Sequence, residues 1–157
     1  MMAPLYRIAL ITDGLYPMVM GGMQMHSYYL VKYLTRKGIA IDLYHPGDFE
    51  GKSQLSAVLT PEEMAFAKEI VVPFPPAGFL PGHYLKESLE YSRRVAEKVI
   101  LSEVDFVYAK GFTAWALLER RKKTKFLPKI GVNFHGLEMF QKSFSLRNKL
   151  ESMLQKG

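Results

Sequence analysis

The sequence predicts an α/β fold: a mostly parallel sheet with helices on both faces. Three observations carry that reading. The chain opens strand, Gly-containing loop, helix, Gly, strand. Short apolar runs then keep alternating with helical patterns as far as Gln155. The composition is that of a packed domain: 157 residues, 48% hydrophobic, 13% aromatic and 23% charged. A βαβ opening requires a parallel pair with a right-handed crossover, and its repetition builds a layered domain.

The elements follow in order. Arg7 to Thr12 reads as a buried strand, a short apolar run closed by Asp13-Gly14. A loop with Pro17, Gly21 and Gly22 leads into a helix over Met23 to Lys37. Met23, Ser27, Leu30 and Leu34 would form its buried face, with Lys32, Thr35 and Arg36 opposite. Gly38 is its natural stop, and Ile39 to Tyr44 is the second strand. Pro46 to Ala57 is polar and weakly patterned. Thr60-Pro61-Glu62-Glu63 reads as a helix start with cap, Pro and Glu in place.

Glu69 to Pro73 predicts a strand centred on Ile70-Val71-Val72, and Phe74 to Gly82 a loop. Tyr84 to Glu103 is the longest helical pattern, with Leu85, Leu89, Ser92, Ala96 and Val99 as its stripe. Glu90 with Arg94, and Arg93 with Glu97, are i,i+4 pairs. Asp105 to Ala109 predicts a strand, Thr113 to Lys123 a helix, Lys129 to Asn133 a strand and Ser145 to Gln155 a last helix. The chain reads as a single domain over residues 1–157, cut from a longer protein.

Several chemistries are excluded or disfavoured. With no Cys there is no disulfide, thiolate zinc site or Cys nucleophile, and a reducing compartment is the simpler setting. His26, His45, His83 and His135 are far apart, without compact metal-ligand spacing, so no metal and no cofactor is expected. No apolar run approaches the roughly 20 residues of a spanning helix. The net charge of +6 tolerates phosphate ligands, membrane surfaces or nucleic acid, and selects none of them.

Ligands of open α/β sheets bind beyond the carboxyl ends of the strands. Gly21 and Gly22 lie there, where a helix N-terminus offers free N–H groups to phosphate. Glycines in that loop would allow a positive φ and close approach of a ligand to the backbone. His135 directly follows a strand and precedes Gly136, a place for a hydroxyl ligand or a proton-transfer group. Asp13 and Lys110 stand at two other strand ends and could line the same cleft. His26, in the first helical turn at the edge of the buried stripe, ordinarily reads as a packed histidine. Glu138 follows His135 by three residues. Arg120, Arg121, Lys122, Lys123 and Lys125 crowd one helix end, where cations complement the dipole. The same run could also meet a membrane or another polyanion.

Three blocks of this sequence resemble the glycosyltransferases of GT-B fold, in particular the large retaining group numbered family four. The first runs from Arg7 through Pro17 and Gly21-Gly22-Met-Gln-Met-His26 to Gly38; the second is Asp105-Phe-Val-Tyr-Ala-Lys-Gly111; the third is Pro128-Lys-Ile-Gly-Val-Asn-Phe-His135-Gly136-Leu-Glu138. They keep the family's order over about residues 7–140. Gln24 stands where the family commonly has Glu, and Tyr108 and Lys110 replace two histidines.

The resemblance implies the N-terminal, acceptor-side, Rossmann-like half of an enzyme that moves a sugar from a UDP- or GDP-sugar, with retention. Gly21 and Gly22 would meet the donor diphosphate, and His135 would lie by the reacting sugar. Asp13, His26, Lys110 and Glu138 would serve the saccharide or lipid-linked acceptor. A C-terminal donor-binding domain would complete the site. The setting implied is cytoplasmic, with peripheral contact at the inner membrane face, and no nucleic-acid partner. A nucleotide-sugar epimerase on the same scaffold would use the same glycines and histidine. So would a non-catalytic phosphate- or carbohydrate-binding module.

Overall fold

Five short strands, all parallel, make one sheet in the computed structural model, which describes residues 6–47, 55–76, 78, 83–124 and 128–134. They are β1 (Arg7–Ile11), β2 (Ala40–His45), β3 (Ala67–Val71), β4 (Phe106–Lys110) and β5 (Lys129–Asn133). Their order across the sheet is β3-β2-β1-β4-β5. The helices are α1 (Gly22–Arg36), α2 (Leu55–Val58), α3 (Pro61–Met64), α4 (His83–Ile100) and α5 (Trp115–Lys123). A 3₁₀ turn, Gly111–Ala114, joins β4 to α5. The expected Rossmann-like α/β architecture is present.

The strand pleat sorts the core into two layers. Ala9, Ile11, Val107 and Ala109 pack with Tyr91, Val95, Ala96 and Val99 of α4 and with Leu117 of α5. Leu10, Ile41 and Leu43 pack on the other face with Val31 of α1, Leu55 and Leu59. Buried on both faces, the central strands carry apolar runs such as Ile8-Ala9-Leu10-Ile11, and the polar residues they bury, Asp42, His45 and Lys110, are hydrogen-bonded.

Three expectations are corrected. Thr35 belongs to the buried face of α1, with Ser27 and Val31. Its hydroxyl donates to the Val31 carbonyl at 2.9 Å, so a polar residue sits there without an unsatisfied group. The buried stripe of α4 is rotated toward Tyr91 and Val95, leaving Leu85 and Leu89 half-buried. β3 runs Ala67–Val71 rather than Glu69 to Pro73, so Ala67 and Lys68 join the strand. An edge strand accepts such polar positions. Glu69 is used there: its carboxylate lies 2.5 Å from Nε2 of the buried His45. The Gly47 N–H donates to Nδ1 of the same ring at 3.1 Å, which places the proton on Nε2. Burial lowers the His45 pKa, with Glu69 opposing.

The capping box at Thr60 forms as the sequence predicts, although α3 is a single turn. Buried Glu63 ties α3 to α1 through Arg36 at 2.7 Å and Lys32 at 3.4 Å.

β1 is the turning point of the sheet. β2 pairs on one side of it and β4 on the other. The chain that leaves β1 through α1 builds one flank, and α4 brings it back to start the other flank at β4. At such a reversal the connections diverge, and a crevice opens beyond the carboxyl ends of β1 and β4. Asp13 and Lys110 are the charged residues that these two strands deliver to it.

Candidate functional site

The first turn past β1 is held rigidly. The Thr12 N–H donates to the Tyr44 carbonyl at 3.0 Å, and the Thr12 hydroxyl donates to the Gly14 carbonyl at 2.7 Å. The Thr12 carbonyl accepts from the buried Tyr91 hydroxyl at 2.8 Å. With Thr12 fully buried, Asp13 is fixed at the mouth of the crevice, partly covered. Its carboxylate accepts from Gln24 Nε2, in the first turn of α1, at 3.3 Å. Burial pushes the Asp13 carboxyl above its ordinary value of 3.8, opposed by its local backbone hydrogen bond, by Gln24 and by the charge of Lys110.

Lys110 ends β4 and is only 1% exposed. Its backbone is fixed by the Thr113 hydroxyl, which donates to the Lys110 carbonyl at 2.7 Å, and by the left-handed turn at Gly111, φ 53°. Its ammonium lies 2.8 Å from His26 Nδ1 and 5.2 Å from the centre of the Tyr108 ring. An ammonium has only donors, so the contact needs an accepting Nδ1 and a proton on Nε2 of His26. Burial lowers the Lys110 pKa, and the Asp13 charge opposes that. Each member of this opposite-charge pair is therefore held in a dry setting that disfavours its ionised form. Such settings recur at sites that bind or move protons.

His26 is not part of the buried stripe. It is an exposed residue of α1 whose ring nitrogen reaches across to Lys110. The structure thus brings Asp13, His26 and Lys110 together at one strand edge. Gln24 and Tyr108, which sequence reasoning did not place in the site as ligands, touch the same group. Tyr84 and Tyr91 of α4 complete it: burial raises both hydroxyls, and the nearby Asp13 charge raises them further. Position alone could have found Gln24, since a polar residue in a first helical turn can reach back to the preceding strand end. The tyrosines carry no local signal. His135 and Glu138 lie outside the described residues, as does Lys125 of the basic run. Among the described residues, no group of three His, Asp or Glu could hold a metal ion.

Gly21 and Gly22 open α1 and are exposed. The Met25 N–H to the Gly21 carbonyl, 2.9 Å, is the first helical bond, so the preceding N–H groups lack intrahelical acceptors. Gly21 provides no side-chain cap, and the first turn has no acidic residue. The expectation of a positive φ here is corrected: Gly21 is extended at φ 161°, and the positive-φ glycines among the described residues are Gly38, Gly47 and Gly111. A Cβ at Gly22 would meet nothing within 4 Å. Gly22→Val should therefore leave the melting temperature nearly unchanged. If this N-terminus holds a diphosphate, the variant loses affinity for it, because only the ligand would meet the new side chain. Calorimetric titration of the full-length protein checks this; unaltered affinity in a folded variant would reduce the loop to a turn.

No family model and no curated protein sequence matches this chain. Several solved structures share its fold. A UGT transferase from Siraitia grosvenorii, in complex with UDP, is 11% identical over 83% of this chain and 27% of that one, with a TM-score of 0.56. A glycosyltransferase from Rickettsia africae is 19% identical over 96% of this chain and 35% of that one, TM-score 0.51. The C-terminal domain of a hydrogenase from Pyrococcus furiosus is 18% identical over 84% of this chain and 94% of that one, TM-score 0.53. At these identities the likeness is one of fold. This chain spans about a quarter to a third of the glycosyltransferases, and nearly all of the hydrogenase domain.

Proposed function

We propose that this chain is the acceptor-side domain of a glycosyltransferase that moves a sugar from a UDP- or GDP-sugar to a saccharide or lipid-linked acceptor, with retention. One observation carries the reading. The first turn of α1 is tied to the ends of β1 and β4, at the turning point of the sheet, through the Gln24–Asp13 and His26–Lys110 contacts. The glycosyltransferase-like fold of the structural neighbours and the three sequence blocks support it.

The chemistry divides by charge. A diphosphate is drawn to the helix N-terminus and to the buried ammonium of Lys110. An acceptor hydroxyl is neutral and suits Asp13, whose carboxylate can accept its proton in a hydrogen bond. Lys110 meets His26 Nδ1, which puts the proton on Nε2 and gives the ring the tautomer that can donate to an oxygen gaining charge in the transition state. His135 and Glu138 are proposed to lie by the reacting sugar and its acceptor. A second, donor-binding domain supplies the remaining contacts.

The test is a panel of UDP- and GDP-hexoses with saccharide and polyprenyl-phosphate acceptors. The full-length protein should transfer sugar with the donor's anomeric configuration, read by proton NMR, and the 157-residue chain alone should not. Conversion of the sugar nucleotide without acceptor would instead assign an epimerase. Steady transfer by the isolated chain would refute the half-enzyme assignment.

A further inference from the structure

We propose that the outer face of α5, with the aromatic residues beside it, is a docking surface for an anionic lipid bilayer. Arg120, Arg121, Lys122 and Lys123 are consecutive and exposed. Successive helical residues turn by about 100°, so four of them point around most of the helix. Complementing the helix dipole requires cations only in the last turn and implies nothing about which face they take. Here the faces differ. Arg120 turns toward α4, 4.0 Å from Glu97. Arg121 and Lys122 flank the opposite side, where they line a shallow open depression with Trp115, Leu118 and Glu119.

The apolar content of that side is what a dipole cannot explain. Leu118 is 39% exposed and Phe134 53%. Trp115, the only Trp of the chain, stands 6.0 Å from Phe112, and Phe112 stands 6.3 Å from Phe134. Trp115 donates its indole N–H to Glu119 at 3.1 Å, so the one carboxylate on this side is engaged by the indole. Aromatic rings with a polar edge, a leucine and flanking Lys and Arg are the composition of an interfacial surface. The sign of the charge selects anionic lipid over neutral lipid. The exposed tyrosine face of α1 lacks that sign selection, because Arg36 and Lys32 there are tied to Glu63.

The patch runs along α5: its aromatic end, with Phe112 and Phe134, lies at the carboxyl edge of β4 and β5, and its basic end lies toward the amino edge, where Arg121 donates to the Pro128 carbonyl just before β5. Binding to the bilayer itself does not depend on the transferase reading.

Trp115 is its own reporter. Titrating the purified protein with vesicles of phosphatidylcholine containing phosphatidylglycerol should shift its emission to the blue and co-sediment the protein. Pure phosphatidylcholine vesicles should do neither. Arg121→Glu with Lys122→Glu should weaken binding at least tenfold, with the circular dichroism spectrum retained. Lys122→Glu alone should give part of that loss. Trp115→Phe should keep co-sedimentation and lose the signal. Equal binding to neutral vesicles, no blue shift, unaltered binding by the folded double variant, or tighter binding to single-stranded RNA than to the anionic vesicles would overturn the assignment.

Discussion

Lys110→Met is expected to lower sugar transfer by about 10²–10³-fold, the effect of removing a preorganised charge-stabilising donor, while the protein remains folded. The side chain is buried, and Met fills nearly the same volume. Burial disfavours its charge, so losing the ammonium removes a desolvation cost that offsets part of the lost interaction with Asp13 and His26. The variant also removes the Lys110 contact from His26 Nδ1. The expected kinetic signature is a fall in kcat together with weaker donor binding. Lys110 should also set an alkaline limit to activity below its ordinary value of 10.5, a limit absent from the Met variant. Steady-state kinetics against pH, with a thermal melt of each variant, check this. Unaltered turnover in a folded Lys110→Met protein would make Lys110 a packing residue.

Asp13→Asn is expected to raise thermal stability and remove activity at once. The sign follows from burial. The folded pKa is raised above 3.8, so between that value and the folded pKa the native state binds more protons than the unfolded state. Stability therefore falls as pH rises through this window and stays lowered at neutral pH. Asn keeps the shape and the Gln24 contact without the charge. The gain should appear at pH 7 and vanish below the ordinary carboxylate range. A residue that costs stability in the native fold and sits at a strand edge marks a position kept for chemistry. Lys110 opposes the cost, so the gain from Asp13→Asn should grow when it is made in a Lys110→Met background. Differential scanning calorimetry at both pH values decides it; a large loss of stability at pH 7 would show that Asp13 is a structural ion-pair member.

The fold was legible because its strands are bounded by sharp changes of composition. Lys129 to Asn133 is read at its observed limits, and the opening βαβ unit stands where Gly38 and Asp13-Gly14 place it. What failed was read from polarity alone. Thr35 is buried because its hydroxyl finds a backbone acceptor, and Lys68 is strand because an edge tolerates it. The candidate site follows from position: strand ends give Asp13 and Lys110, and a helix start gives Gly21 and Gly22. The contact between His26 and Lys110 spans 84 positions and has no local signature. The backbone at Gly21 and Gly22 is ordinary, so their significance rests on access to the helix N-terminus.

The most direct test of the account is a crystal structure of the full-length protein with an unhydrolysable nucleotide sugar and acceptor. The account predicts diphosphate oxygens within hydrogen-bond distance of the backbone N–H groups at Gly22, and an acceptor hydroxyl beside Asp13 and His26. A nucleotide sugar bound away from the β1–β4 crevice, or a crevice filled by the protein's own chain, would contradict it.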